Sequence, residues 1–176
     1  MANKVFIATS LDGYIADKSG GVDWLHEIPN PDNDDMGYHD FIDSIDALVM
    51  GRNTMEILLS FGIDWPYPKP VFVLSNTLKQ APAGLEDKIF MVSGDLKRLV
   101  QDLADKGYND LYIDGGVTIQ NFLKEDLIDE MTITTIPVLL GGGKRLFGEL
   151  AEPLKFKNVN NQRYLDAIVS SKFVRA

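Results

Sequence analysis

Four apolar residues, Ala47 to Met50, stop at Gly51 and give way at once to Arg52-Asn53-Thr54-Met55-Glu56. The run reads as a buried strand. Asn53 with Glu56 three residues on is a helix-start signal. A strand that turns at a glycine and opens a helix leaves free backbone N–H groups at the positive end of the helix dipole. Gly51 and Arg52 therefore mark a place where an anion, above all a phosphate, is stabilised. An ordinary strand-to-helix turn with a surface arginine has the same spacing, so the rest of the chain must decide.

The same arrangement recurs. Apolar runs at Val5–Thr9, Val71–Leu74, Ile89–Val92 and Leu111–Ile113 read as strands. Between the last two, Asp95 caps an amphipathic helix with Leu96, Leu99, Val100 and Leu103 on one face, ended by Gly107. A second helix after Gly115-Gly116 turns Ile119, Phe122 and Leu123 inward. A third is expected from Asp34 or Asp35, with Met36, Phe41, Ile42 and Ile45 on its apolar side. Met131–Ile136 reads as a strand, Pro137–Phe147 as a glycine-rich loop, and Phe156–Gln162 with Leu165–Phe173 as an antiparallel pair. The expectation is one α/β domain over residues 1–176: a mostly parallel central sheet between helices, antiparallel at its C-terminal edge.

Composition narrows the function. The chain carries a net charge of -9, which argues against nucleic acid and anionic membranes as partners. It has no cysteine, hence no disulfide, thiolate metal site or cysteine nucleophile. No signal segment or spanning run is evident, so a cytoplasmic location is expected. Asp32, Asp35, His39 and Asp40 are the one metal-like cluster, and acids at a helix start already explain them; no metal is expected.

Open α/β sheets bind ligands beyond the carboxyl ends of their strands. Three loops leave such ends: Gly51-Arg52-Asn53-Thr54, Ser75-Asn76-Thr77 and Gly115-Gly116-Val117-Thr118. Together they suggest a nucleotide laid across the sheet edge. Gly115-Gly116 lacks the Rossmann spacing, and Gly141-Gly142-Gly143-Lys144-Arg145 puts arginine where a P-loop needs Ser or Thr. Without a nucleophile elbow, and with only His26 and His39, a hydrolase is a poor fit.

Val49-Met50-Gly51-Arg52-Asn53-Thr54-Met55-Glu56 resembles the cofactor-phosphate motif of dihydrofolate reductases. Tyr112-Ile113-Asp114-Gly115-Gly116 ahead of Phe122-Leu123 resembles that family's later glycine pair. Ser10-Leu11-Asp12-Gly13, Ile128-Asp129-Glu130 and Pro137-Val138-Leu139-Leu140-Gly141-Gly142-Gly143 ahead of Leu146-Phe147 are more similar to the reductase domain of bifunctional riboflavin-biosynthesis deaminase-reductases. The resemblance implies a three-layer dihydrofolate-reductase-like fold and NADPH as hydride donor. It implies that Arg52 and Thr54 meet the 2′-phosphate and pyrophosphate, Ser75 and Asn76 the adenosine, and Gly115, Gly116 and Thr118 the pyrophosphate. Ala8, Thr9 and Ile15 would border the nicotinamide, beside a loop shaped by Asp12 and Gly13.

The electron acceptor would be a small heterocycle or carbonyl compound, pterin- or aminopyrimidine-like. A nucleotide-binding protein without catalysis is the alternative. Dihydrofolate reductases carry an acid on the helix before the Gly-Arg motif, and Asp35, seventeen residues before Arg52, lies near that place, with Asp34 and Asp40 as competitors. Asp35 is therefore the expected proton source, with a pKa raised by burial, and Asp12 the second candidate. A homodimer through the strand-rich edge completes the expectations.

Overall fold

A computed structural model describes residues 1–176. Its centre is an eight-stranded sheet of order β5-β4-β3-β6-β1-β7-β10-β9. The first six in that order run parallel: β5 (Ile89–Val92), β4 (Val71–Leu74), β3 (Ala47–Gly51), β6 (Asp110–Asp114), β1 (Ala2–Ser10) and β7 (Glu130–Ile136). The last two, β10 (Ile168–Arg175) and β9 (Phe156–Tyr164), are antiparallel. This is the α/β architecture expected, including its antiparallel edge.

Side chains alternate along each strand and supply two cores. Ala47 and Val49 of β3 join Phe72, Leu111 and Ile113 against α3 (Leu96–Asp105) and α4 (Gly116–Lys124), which contribute Leu99, Leu103, Ile119 and Phe122. Leu48 and Met50 face the other way, with Tyr112, Val71 and Val73, against α1 (Tyr38–Asp43) and α2 (Arg52–Ser60), which bring Ile42 and Met55. Burying each such side chain contributes ~1.5–3 kcal/mol, so the two cores fix the sheet's position between its helix layers. Asp95 caps α3 by accepting from the Arg98 N–H at 2.9 Å, as the sequence indicates.

Three local features depart from expectation. Helix α1 starts at Tyr38 rather than at Asp34 or Asp35, because Asn33, Met36 and Gly37 all take positive φ and cannot be helical. The acidic side chains make turns instead, a known competitor of helix for Asp and Asn. Helix α2 begins at Arg52 on Gly51 with no side-chain cap, so Asn53 lies inside the helix rather than capping it. Within the loop after β7, β8 (Lys144–Arg145) pairs with β2 (Tyr14–Ala16) as a separate two-stranded sheet. Two residues carry too little periodicity to announce a strand.

Candidate active site

Beyond the carboxyl ends of the parallel strands, two sets of groups meet. On one side, α2 and α4 both start on glycine, Gly51 and Gly115, and neither has a side-chain cap. Their first-turn amides are bare. The two starts are adjacent: a Cβ on Gly51 would lie 3.1 Å from the Thr118 hydroxyl, and one on Gly115 would collide with the Thr54 hydroxyl. Gly115 also sits at φ 90°, open to glycine and strained for other residues. Gly116 is pressed equally closely by Ile15, whose Cδ1 would lie 2.6 Å from an added Cβ. The structure thus gathers Gly51, Thr54, Gly115, Gly116, Thr118 and Ile15 in one place.

Arg52 reaches from the same turn. Its Nε donates to Glu56 Oε1 at 2.6 Å and its Nη1 to the Thr77 hydroxyl at 3.2 Å. Thr77 belongs to the turn after β4, where Ser75 Oγ accepts from the Leu78 N–H at 2.9 Å. Ser75 and Asn76 open onto a cleft of about 500 Å³ also lined by Ser93, Gly94, Asn121 and Lys124. These four were missed in the sequence. Ser93-Gly94 closes a strand like the other turns, and that signal was available. Ala8 and Thr9 lie at the end of β1, with Ala8 half-buried and Thr9 buried.

Asp12 works as a fastener. Its Oδ1 accepts from the Ser10 hydroxyl at 2.6 Å and the Leu140 N–H at 3.1 Å, and its Oδ2 from the Gly141 N–H at 2.8 Å. The Ser10 hydrogen bond, helped by the two amides, holds this carboxyl below its ordinary range. Leu146 N–H donates to Gly13 O at 3.1 Å, so two loops are tied together here and Ile15 is held against Gly116.

Asp35 is exposed. Its Oδ1 accepts from the Gly37 N–H and its Oδ2 from the His39 N–H, each at 2.9 Å. Those bonds, His39 first, lower its pKa. The upward shift expected of Asp35 is absent, because both oxygens stabilise the charged form and little burial opposes them.

The carboxyl that is shifted upward is Asp114, at the end of β6. Burial is the cause, opposed by hydrogen bonds from the Gly115 N–H and from the Tyr67 hydroxyl. Its Oδ1 accepts from Gly115 N–H at 2.8 Å and its Oδ2 from the Tyr67 hydroxyl at 3.2 Å. The residue still keeps part of its surface open. Around it stand Tyr67, whose phenol is pushed up by burial and by Asp114, and Tyr38, pushed the same way. Phe6 stacks on Phe41 at 4.8 Å and meets Tyr38 edge-on at 5.7 Å; Phe41 meets Tyr112 edge-on at 4.9 Å. Tyr112 donates to Phe6 O at 3.0 Å. Trp65, edge-on to Tyr67 at 5.5 Å, has a buried indole N–H without a partner. In the sequence Asp114 reads only as the first residue of a glycine turn, and nothing local announces its burial.

This topology is that of a dihydrofolate-reductase-like fold. A dihydrofolate reductase from Enterococcus faecalis, solved with NADP(H), superposes with a TM-score of 0.65 at 17% identity over 99% of this chain and 96% of that one. More closely, the chain belongs to the RibD C-terminal domain family, whose model matches residues 4–170. A putative riboflavin biosynthesis protein from Shewanella sp. PV-4 is 60% identical, with a TM-score of 0.98 over 100% of this chain and 99% of that one. A diaminohydroxyphosphoribosylaminopyrimidine deaminase/5-amino-6-(5-phosphoribosylamino)uracil reductase from Thermotoga maritima gives a TM-score of 0.76 at 16% identity. It is matched over 99% of this chain and 56% of its own length. No helix of the protein is long and apolar enough to cross a membrane.

Proposed function

We propose that this protein is an NADPH-dependent reductase acting on a small heterocyclic or carbonyl compound, pterin- or aminopyrimidine-like. The observation that carries the reading is the pair of uncapped helix N-termini at Gly51 and Gly115, side by side and flanked by Arg52. Bare amides of two helices favour a diphosphate. A guanidinium beside them suits a further phosphate on the ribose. The cleft at Ser75 and Asn76 has room for the adenosine end. NADPH, when bound, supplies a hydride.

The chain's own part in the chemistry falls to Asp114. Hydride addition to the carbon of C=N or C=O leaves the heteroatom needing a proton. A carboxyl whose pKa is raised by burial can donate it and be reprotonated from water. The Tyr67 hydroxyl and the Gly115 amide each donate to one of its oxygens and fix the orientation of the carboxyl. Asp12 holds the loop that carries Ile15, and Asp35 shapes the turn before α1; both stay ionised in those roles.

The cofactor reading is tested by titrating NADPH and NADH by fluorescence against the protein and its Arg52→Ala variant. A charge-assisted contact to the 2′-phosphate is worth ~1.5–3 kcal/mol, or roughly ten- to a hundredfold in affinity. Arg52 is half-exposed and shared with Glu56, which favours the lower end of that range. NADPH affinity should fall by that factor while NADH affinity stays. Equal losses would remove the 2′-phosphate from Arg52.

A further inference from the structure

Between α2 and β4 the chain runs through Trp65-Pro66-Tyr67-Pro68. Each proline fixes its own φ and pushes the residue before it toward an extended conformation. Both aromatic residues are therefore held stiffly, on a segment that is neither helix nor strand. Trp65 and Tyr67 meet edge-on at 5.5 Å and pack on the core of Leu48, Met50, Met55, Val71 and Val73. A phenol packed this way needs a partner for its O–H. Tyr67 donates to Asp114 Oδ2 at 3.2 Å, a residue forty-seven positions further along the chain.

Asp114 is otherwise held by the Gly115 N–H, at 2.8 Å on Oδ1. The titratable groups that face it are phenols: Tyr67 from this loop, Tyr38 from α1 and Tyr112 from β6 itself. None of the ion pairs includes it. Cations on the neighbouring elements are turned elsewhere. Lys4 of β1 goes to Ser44 and Asp110, Arg52 of α2 to Glu56 and Thr77, and Lys124 of α4 lines the cleft beside Ser75.

The kind of partner matters. A lysine or arginine at position 67 would favour the ionised carboxyl outright. A phenol lets burial hold the proton on, yet still donates to the carboxylate once the proton has gone. Tyr67 remains a donor throughout, because burial and the nearby Asp114 push its phenol up. When the acceptor's heteroatom takes the proton, the O–H bond of Asp114 breaks and its electron pair stays on the carboxylate, which water later reprotonates. Hydrogen bonds to an ionised group are stronger than those to a neutral one, so the Tyr67 bond tightens as the proton leaves.

We propose that Tyr67 is a positioning residue for Asp114: its hydroxyl fixes the direction of the carboxyl and stabilises the carboxylate that forms when the proton is given up. This rests on Asp114 as the proton donor of the reductase, but the effect of Tyr67 on the carboxyl is measurable without turnover.

The test is Tyr67→Phe, which keeps the ring and its packing and removes only the donor. The Asp114 carboxyl is followed by ¹³C NMR against pH in the full chain, its signal assigned by its loss in Asp114→Asn. NADPH oxidation is followed across pH with 5-amino-6-(5-phosphoribosylamino)uracil and with 7,8-dihydrofolate. In Tyr67→Phe the carboxyl should titrate at higher pH than in the wild type, because a bond that favours the charged form is gone. The alkaline limb of kcat should move the same way, and kcat at neutral pH should fall roughly tenfold, as for one hydrogen bond to a charged group. An unmoved titration would overturn the proposal, and so would an unchanged kcat or a lower kcat whose alkaline limb stays in place, the mark of a loop that has merely loosened. Failure of the reductase reading would look different: no oxidation with either compound, or full turnover in Asp114→Asn, with the titration still deciding whether Tyr67 governs the carboxyl.

Discussion

On the side proposed for the cofactor, α2 and α4 begin at Gly51 and Gly115 without a side-chain cap, and their first-turn amides stay open. On the side proposed for the acceptor, the amides before α1 are occupied by Asp34 and Asp35. The same local device, a chain turn that exposes N–H groups, is thus left open for an external anion in one place and closed by internal anions in the other. Glycine keeps the first set of amides accessible. Aspartate makes the second set unavailable and adds negative charge around it. Asp114 sits on the border, one oxygen bonded to the Gly115 amide of the cofactor side and the other to Tyr67 of the acceptor side. A group so placed can report on both sides, and its substitution is the severest test of the division.

Asp114→Asn should lower turnover by ~10²- to 10⁴-fold, the usual contribution of a positioned acid, while NADPH affinity is nearly retained. Asparagine can keep both neighbours: its oxygen accepts from the Gly115 N–H, and its NH₂ donates to the Tyr67 oxygen. The variant should also be more stable at neutral pH. The folded-state pKa of Asp114 is raised by burial, so the folded protein holds a proton that the unfolded chain has released. Stability is therefore lost as pH rises from the unfolded value of 3.8 through the raised folded one. Asn lacks that loss, and thermal unfolding at neutral pH against acid should show the gap between the two proteins closing on acidification. Turnover at the wild-type rate would remove Asp114 from the chemistry.

Gly115→Ala probes the open backbone. The alanine Cβ would strain a φ of 90° and displace Thr54, a cost of ~1–3 kcal/mol for a residue forced into such a conformation. Because the diphosphate is common to both cofactors, NADPH and NADH affinities should fall together, by roughly tenfold. That joint loss contrasts with the selective loss expected for Arg52→Ala. A variant that loses only NADPH would mean that the Gly115 turn is not where the shared phosphates sit.

How much of this was readable in the sequence follows from where the information resides. The β3 run and its glycine, the α3 cap at Asp95 and the Gly115 turn each depend on neighbours in the chain, so local pattern announces them. The two cores follow from alternation along β3 and β4 for the same reason. Asp114 was legible as a turn residue and no more, because its burial is created by Tyr67, forty-seven residues earlier, and by Tyr112 on the next pleat. Asp35 illustrates the reverse error. Its distance from Arg52 suits a helix-borne acid, but the positive φ of Met36 and Gly37 keeps it off the helix, and its oxygens turn to the backbone. The β2–β8 pair was hidden for want of length, although Gly13 and Leu146 are joined directly by a hydrogen bond.

The smallest effect is expected from Asp35→Asn, and its smallness is informative. An amide oxygen can accept from Gly37 or from His39, but it cannot replace two carboxylate oxygens each bonded to its own amide. The turn before α1 should loosen slightly. Because the folded pKa of Asp35 lies below its ordinary value of 3.8, its contribution to stability is present above that value and lost as pH falls through the folded one. Unfolding temperatures of the variant and the wild type should therefore differ at neutral pH and converge in strong acid, as for Asp114→Asn, but with the opposite sign: here the wild type is the more stable of the two at neutral pH. Turnover should stay within about twofold of wild type, as for an exposed position outside the chemistry. A hundredfold loss of turnover with unchanged NADPH affinity would place the working acid on the acceptor rim instead of the border, and the division drawn between the two sides would have to be redrawn around α1.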